Sequence, residues 1–253
     1  MSVHLVLYSN NEPFDTTKRR IIESIHKFTK NTFNIHDYNL EKIKTKEWFR
    51  LIQMLPSIYK RGKRDGYYNA WKPFITRDVY NDMKNGDILY YVDCSQYYKT
   101  GFTENIDKLC DIASEKTRIA GSIGDDVRNK SFGCCDNLQV WNKIITNKDN
   151  STALSKRHVL NSWYLFKKCG ENNAFIDDWV YFTYYTDNDI EHPLVSYHHT
   201  ADQSIFNILV VKYNLPVFYS RPIKHDANKD KNAVLKVINN TSTTHMNDHF
   251  TYL

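Results

Sequence analysis

Apolar positions recur along this chain in two rhythms, short β-favouring runs and longer stretches at helical spacing. Val3 to Ser9 (VHLVLYS) is an apolar run that breaks at Asn10, Asn11 and Pro13, which predicts a buried strand ending at a loop. Ile21, Ile22, Ile25 and Phe28 then fall at helical spacing, with Asp15 as the expected N-cap of a helix reaching Lys30. A second helix is predicted over Lys46 to Leu55, ending before Pro56. Pro73 near a helix start, the apolar Phe74, Ile75, Val79 and Met83, and a stop at Asn85-Gly86 predict a third. Asp87 to Asp93 (DILYYVD) reads as a central strand.

Farther along, the pattern predicts a helix near Asn105 to Lys116, a Gly-containing stretch from Gly121 to Cys135 and a short helix near Leu138 to Ile145. Val159 to Phe166 is strand-like, Phe175 to Tyr185 and Asp202 to Tyr213 are helical, and Pro216 to Tyr219 is a last short strand. Strands and helices alternating in this order predict an α/β fold, a mixed, mostly parallel sheet flanked by helices. A chain of 253 residues suits one such domain, expected over residues 1–223. Residues 224–253 are polar and rich in Asn, Thr, Lys and His, and are expected to be loosely ordered. No internal repeat is visible.

Composition narrows the classes. With 41% hydrophobic and 25% charged residues the chain falls near the globular average. Lys+Arg 34 against Asp+Glu 29 leaves a formal charge of +5, too balanced for indiscriminate binding to nucleic acid, and a small anionic ligand fits better. Tyr 18 and Phe 13 supply core mass and flat faces on which sugars or bases stack. The five cysteines form no CxxC pair and their number is odd, which argues for a reducing compartment. The opening MSVHLVLYSNNEPF carries no basic stretch leading into an apolar signal core, and no run of about 18 apolar residues occurs, so a cytoplasmic protein without a transmembrane segment is expected.

Asp93 carries the strongest chemical signal. A carboxylate at the carboxyl edge of a central strand sits where a hard cation can join it to a diphosphate, because Mg²⁺ or Mn²⁺ takes few protein oxygens and fills its other positions with phosphate and water. The ordinary alternative is a strand-end Asp that caps a turn. Around it, Arg64 to Ser95 (RDGYYNAWKPFITRDVYNDMKNGDILYYVDCS) runs from an aromatic Gly turn through Trp-Lys-Pro, a helix and Gly-Asp to a strand ending in Asp. Farther on, Arg157 to Phe166, Asp178-Trp179 and His199-Thr200-Ala201-Asp202-Gln203-Ser204 follow in order.

Together these blocks resemble certain glycosyltransferases of bacteria and large DNA viruses, enzymes of the GT-A type with a Rossmann-like sheet and an Asp-x-Asp motif. The resemblance spans most of Val3 to Tyr219 and places Asp93 on the first carboxylate of that motif. The chain departs at Ser95, where the fuller motif has a second acid, and at Thr200-Ala201, where the family has Arg-His. The resemblance implies a nucleotide-diphosphate sugar as donor, with UDP favoured, a glycan or other hydroxyl acceptor, and Mn²⁺ or Mg²⁺ as cofactor. It also suggests that residues 224–253 fold over the donor.

Sugar transfer requires an activated acceptor hydroxyl, stabilisation of an oxocarbenium-like sugar and neutralisation of the leaving diphosphate. The expected metal ligand is Asp93, and the expected donor-binding residues are Tyr8, Ser9, Arg64, Lys72, Ser95, His199 and Gln203. Asp202 and Asp178 are the candidate general bases, against ordinary roles as a helix cap and an exposed helix carboxylate. The Asp-Gln block is also similar to that of retaining enzymes such as glycogenin, whereas a carboxylate base suits inversion. Cys134-Cys135 lack metal-finger spacing, and the basic Lys60 to Arg64 turn is most simply solvated. Two other classes remain in view: a nucleic-acid-binding module, which scattered charges disfavour, and a metal-dependent nuclease or phosphatase, which would gather more carboxylates.

Overall fold

The computed structural model describes residues 1–12, 14–54, 70–94, 106–123, 161, 163–188, 201–215, 217–220 and 235–238. The predicted helix near Leu138 to Ile145, the basic turn, and the candidates Arg64, Ser95 and His199 lie outside them.

The chain opens with β1 (Val3–Tyr8), whose residues are almost all buried. It continues through α1 (Phe14–Phe28), β2 (Phe33–Tyr38), α2 (Leu40–Lys44), α3 (Phe49–Met54), α4 (Lys72–Asp82) and β3 (Ile88–Asp93). Then come α5 (Ile106–Lys116), β4 (Arg118–Ile123), β5 (Trp163–Lys167), α6 (Gly170–Asn188), α7 (Ala201–Lys212), β6 (Val217–Ser220) and β7 (Leu235–Ile238). The strands form a seven-stranded sheet in the order β2-β1-β3-β5-β4-β6-β7. Parallel pairing joins β1 to β2, β1 to β3 and β4 to β6, and antiparallel pairing joins β5 to β3 and β4, and β7 to β6. So β1, β2, β3, β4 and β6 run one way and β5 and β7 the other, the mixed, mostly parallel sheet that the pattern predicts.

Side chains alternate between the two faces with the strand period of two. Val6, Tyr8, Leu89, Tyr91, Tyr164 and Phe166 belong to the core built with α4, α6 and α7. Val3, Leu5, Leu7, Ile88, Tyr90, Val92, Trp163 and Leu165 pack in the opposite core with Ile21 and Ile25 of α1 and Leu109 and Cys110 of α5. Helices therefore cover both faces, which is why these strands read as continuous apolar runs.

Four features differ from the expectation. β2 (FNIHDY) is an edge strand with mostly half-exposed or exposed positions, so it lacks the apolar run that betrays a buried strand. β4 passes through Gly121, which reads as a loop in sequence but is a paired strand position. Asp15 lies within the first turn of α1 rather than before it, and its carboxylate accepts from the Ser9 hydroxyl. Residues 235–238, inside the polar segment, pair with β6. The stop after α4 is as expected: Gly86 takes φ 89°, the left-handed region that glycine adopts without steric cost.

Candidate active site

β1, β2 and β3 are parallel and end together, with Tyr8 in register with Tyr38 on one side and with Asp93 on the other. This shared carboxyl edge is where open α/β sheets hold their ligands. Tyr8 is largely buried, its ring stacked on Trp71 at 3.8 Å between centroids. Ser9 is buried as well, its amide donating to the Tyr38 carbonyl at 3.2 Å and its hydroxyl to Asp15. Both residues thus stand at the expected edge, with contacts inside the protein.

Behind that edge is a cluster of charged side chains from separate parts of the chain. Asp93 shares a face of β3 with Tyr91 two residues earlier, and the Tyr91 hydroxyl donates to Asp93 Oδ1 at 2.6 Å. Lys72, the first residue of α4, brings Nζ to 3.2 Å from Asp93 Oδ1 and 3.4 Å from Asp202 Oδ2. The same ammonium reaches the Asn161 carbonyl oxygen at 3.2 Å and its Oδ1 at 3.4 Å. Asn161 Nδ2 in turn donates to Asp202 Oδ2 at 2.9 Å. Trp179 of α6 fixes the start of α7 by donating its indole N–H to the Asp202 carbonyl at 3.0 Å.

The ordinary capping role for Asp202 does not match these partners. It lies inside α7, its Oδ2 is taken by Lys72 and Asn161, and its buried Oδ1 has no hydrogen-bond partner among the described residues. Most buried acceptors in folded proteins have a partner.

Burial and charge pull these groups in opposite directions. Burial pushes the Asp202 carboxyl up to about 6, more than Lys72 and the Asn161 hydrogen bond can draw it down. Burial also weakens the ammonium of Lys72, but the two carboxylates outweigh that effect and raise it above its ordinary value. Tyr91 and Tyr164 are held well above the usual phenol range, first by burial, so both remain neutral. Lys72 and Asp202 each retain only 1% of their side-chain exposure, while Asp93 retains 23%. Asp93 is therefore the open end of the cluster and Asp202 the closed end.

With both carboxylates ionised, one lysine leaves the cluster with surplus negative charge, and a cation at the open end would offset it. The described partners of Asp93 both use Oδ1, and none uses Oδ2. Carboxylate oxygen is a hard donor suited to Mg²⁺ or Mn²⁺, which commonly take one or two protein carboxylates and complete their shell with phosphate and water. No group of three or more His, Cys, Asp or Glu suited to a metal occurs among the described residues. Asp93 Oδ2 could supply one protein ligand to such an ion.

Asp178 is not brought to this cluster. It accepts from Lys212 Nζ and from the Tyr213 hydroxyl, both at 2.7 Å, at the far end of α7. Ten residues of helix separate Lys212 from Asp202, about 15 Å. Gln203 follows Asp202 in the first turn of α7. Two members of the cluster, Tyr91 and Asn161, are not among the residues that stand out in the sequence. Tyr91 was accessible through the strand period, which puts it on the face of Asp93. Asn161, just before β5, carries no local signal.

No protein-family model matches the sequence, and no curated protein matches it. Among solved structures the chain is similar to mouse xyloside xylosyltransferase 1 in its apo form, with 10% identity and a TM-score of 0.47 over 88% of this chain and 85% of that one. Among the described residues, no helix is long and apolar enough to cross a membrane.

Proposed function

We propose that the chain is a glycosyltransferase that moves a sugar from a nucleotide-diphosphate donor, UDP favoured, to a hydroxyl of a glycan acceptor. The observation that carries this reading is the meeting of Lys72, Asp93 and Asp202 at one cluster behind the carboxyl edge of β1 and β3. These residues belong to the Trp-Lys-Pro block, the relaxed Asp-x-Asp and the Asp-Gln-Ser block, which are far apart in sequence.

In the proposed reaction the acceptor oxygen forms a bond to the anomeric carbon, the bond from that carbon to the diphosphate oxygen breaks, and the acceptor proton passes to Asp202. Asp202 has the attributes of a general base: an oxygen without a described partner, and a carboxyl held at about 6, closer to neutrality than an ordinary carboxylate. Asp93 would hold Mn²⁺ or Mg²⁺, which supplies charge compensation for the departing diphosphate. Tyr91 steadies the Asp93 carboxylate through Oδ1. Tyr8 and Ser9 line the adjoining edge, where the nucleotide would lie. A nuclease or phosphatase with two ions is less well matched, since a buried lysine, not a second cation, joins the two carboxylates.

The test is a thermal-shift and calorimetric panel of UDP-, GDP- and dTDP-sugars with and without Mn²⁺, on the wild type and on Asp93→Ala. Stabilisation by one nucleotide sugar that depends on Mn²⁺ and disappears in a folded Asp93→Ala protein is expected. Binding of none of the donors, together with salt-dependent binding of oligonucleotides, would move the chain to the nucleic-acid class. Unchanged Mn²⁺-dependent donor affinity in Asp93→Ala would remove the metal assignment.

A further inference from the structure

The Trp-Lys-Pro lysine looks, from sequence, like a ligand of the donor diphosphate, and the geometry around it points elsewhere. An ammonium carries three N–H donors. Within 3.4 Å of Lys72 Nζ are four acceptors, Asp93 Oδ1, Asp202 Oδ2, and the carbonyl and Oδ1 of Asn161. Every donor has a protein partner, and the side chain is 1% exposed. The face of Tyr91 lies under it as well, with the ring centroid 5.1 Å from Nζ. A phosphate oxygen could be bound only by displacing one of these acceptors, which are the two carboxylates and the two oxygens of Asn161.

We infer that Lys72 is a positioning residue that ties the metal end of the site to the base and, with Asn161, aims Asp202. Both residues hold Asp202 by the same oxygen, Oδ2. That leaves Oδ1 as the oxygen without a described partner, the one free to take the acceptor's proton in the proposed reaction. Because Nζ also contacts Asp93, one side chain bridges the two carboxylates. This inference rests on the base role proposed for Asp202.

A kinetic double-mutant cycle between Lys72→Met and Asp202→Asn tests it, with kcat and donor KM measured separately. Methionine keeps the volume and removes the charge. Alone, Lys72→Met should lower kcat about 10²-fold or more and leave donor KM near that of wild type, the pattern of an interaction felt only in the transition state. In the Asp202→Asn background the same change should cost little further, because no base remains to be aimed. A donor KM raised about tenfold or more with kcat preserved, or effects that multiply in the double variant, would make Lys72 a diphosphate ligand and overturn the inference. Should Lys72→Met not fold, the double variant carries the test, since it removes one carboxylate charge with the lysine: its donor affinity should equal that of Asp202→Asn, and a clear loss would again overturn the inference. If Asp202→Asn by itself turns over like wild type, the base role fails independently of anything Lys72 does.

Discussion

Replacing Asp202 with Asn separates what the carboxylate does for chemistry from what it costs the fold. Burial holds this carboxyl at about 6 against an ordinary 3.8. A group whose value is raised in the folded state binds its proton more tightly there than in the unfolded chain. Its contribution to stability is therefore fully present below pH 3.8 and is lost as pH rises through about 6. A displacement of about two units corresponds to about 3 kcal/mol at neutral pH. Asparagine cannot ionise and escapes that loss, although its amide nitrogen would occupy the site of the unpartnered Oδ1 and offset about 1 to 2 kcal/mol of the gain. The expected net result is a variant more stable than wild type by about 1 to 2 kcal/mol at about pH 7.5, or roughly 2 to 8 °C in Tm for a chain of this size. At about pH 4 the advantage should vanish. Turnover should fall about 10²- to 10⁴-fold, because the amide retains the shape but accepts no proton. Differential scanning fluorimetry across this pH range, with turnover measured in parallel, makes the comparison. A variant that melts below wild type near pH 7.5, by a margin that shrinks toward acid, would show that the ion pair with Lys72 stabilises the fold, and the reasoning from burial would be wrong.

Two further changes probe what the structure places away from the cluster. Asp178→Asn should leave turnover near that of wild type and cost no more than about 1 kcal/mol, since it loosens only the partly exposed contacts with Lys212 and Tyr213; turnover lost in a stably folded variant would restore Asp178 as a base. His36, whose Nε2 lies 3.0 Å from His4 Nδ1, is pushed down to about 4 by burial and then by His4 and Lys42. Its folded value is depressed below 6.5, so its stabilising contribution is present above that pH and lost as pH falls toward about 4, and His36→Gln should show a shallower fall in Tm over that window; identical melting profiles for the two proteins would exclude His36 as a source of acid sensitivity.

Much of the architecture could be read along the chain because both faces of the sheet are covered. A strand buried on two sides must be apolar at nearly every position, and β1, β3 and β5 declare themselves in this way. Pro73 and Gly86 marked the ends of the segment around α4 because each acts through its own backbone. β2 escaped notice because an edge strand has one neighbour and less to bury, so Asn34, His36 and Asp37 are tolerated there. β4 escaped because a glycine is equally compatible with a turn and with a paired strand.

The candidate site divides in the same way. Asp93 was legible, since a carboxylate ending an apolar run must emerge at a sheet edge. Asp202 was legible as an acid opening a helix, a candidate base with a helix cap as the ordinary alternative. Only tertiary structure decided that Lys72 turns inward and spans Asp93 and Asp202, that Asn161 completes the set, and that Asp178 stands at the opposite end of α7. Sequence determines a residue's chemistry and its place on its own element, because both are local. Which charges share a buried space depends on how the elements carrying them fold together, and desolvation, the force that raises Asp202, exists only once that space is closed.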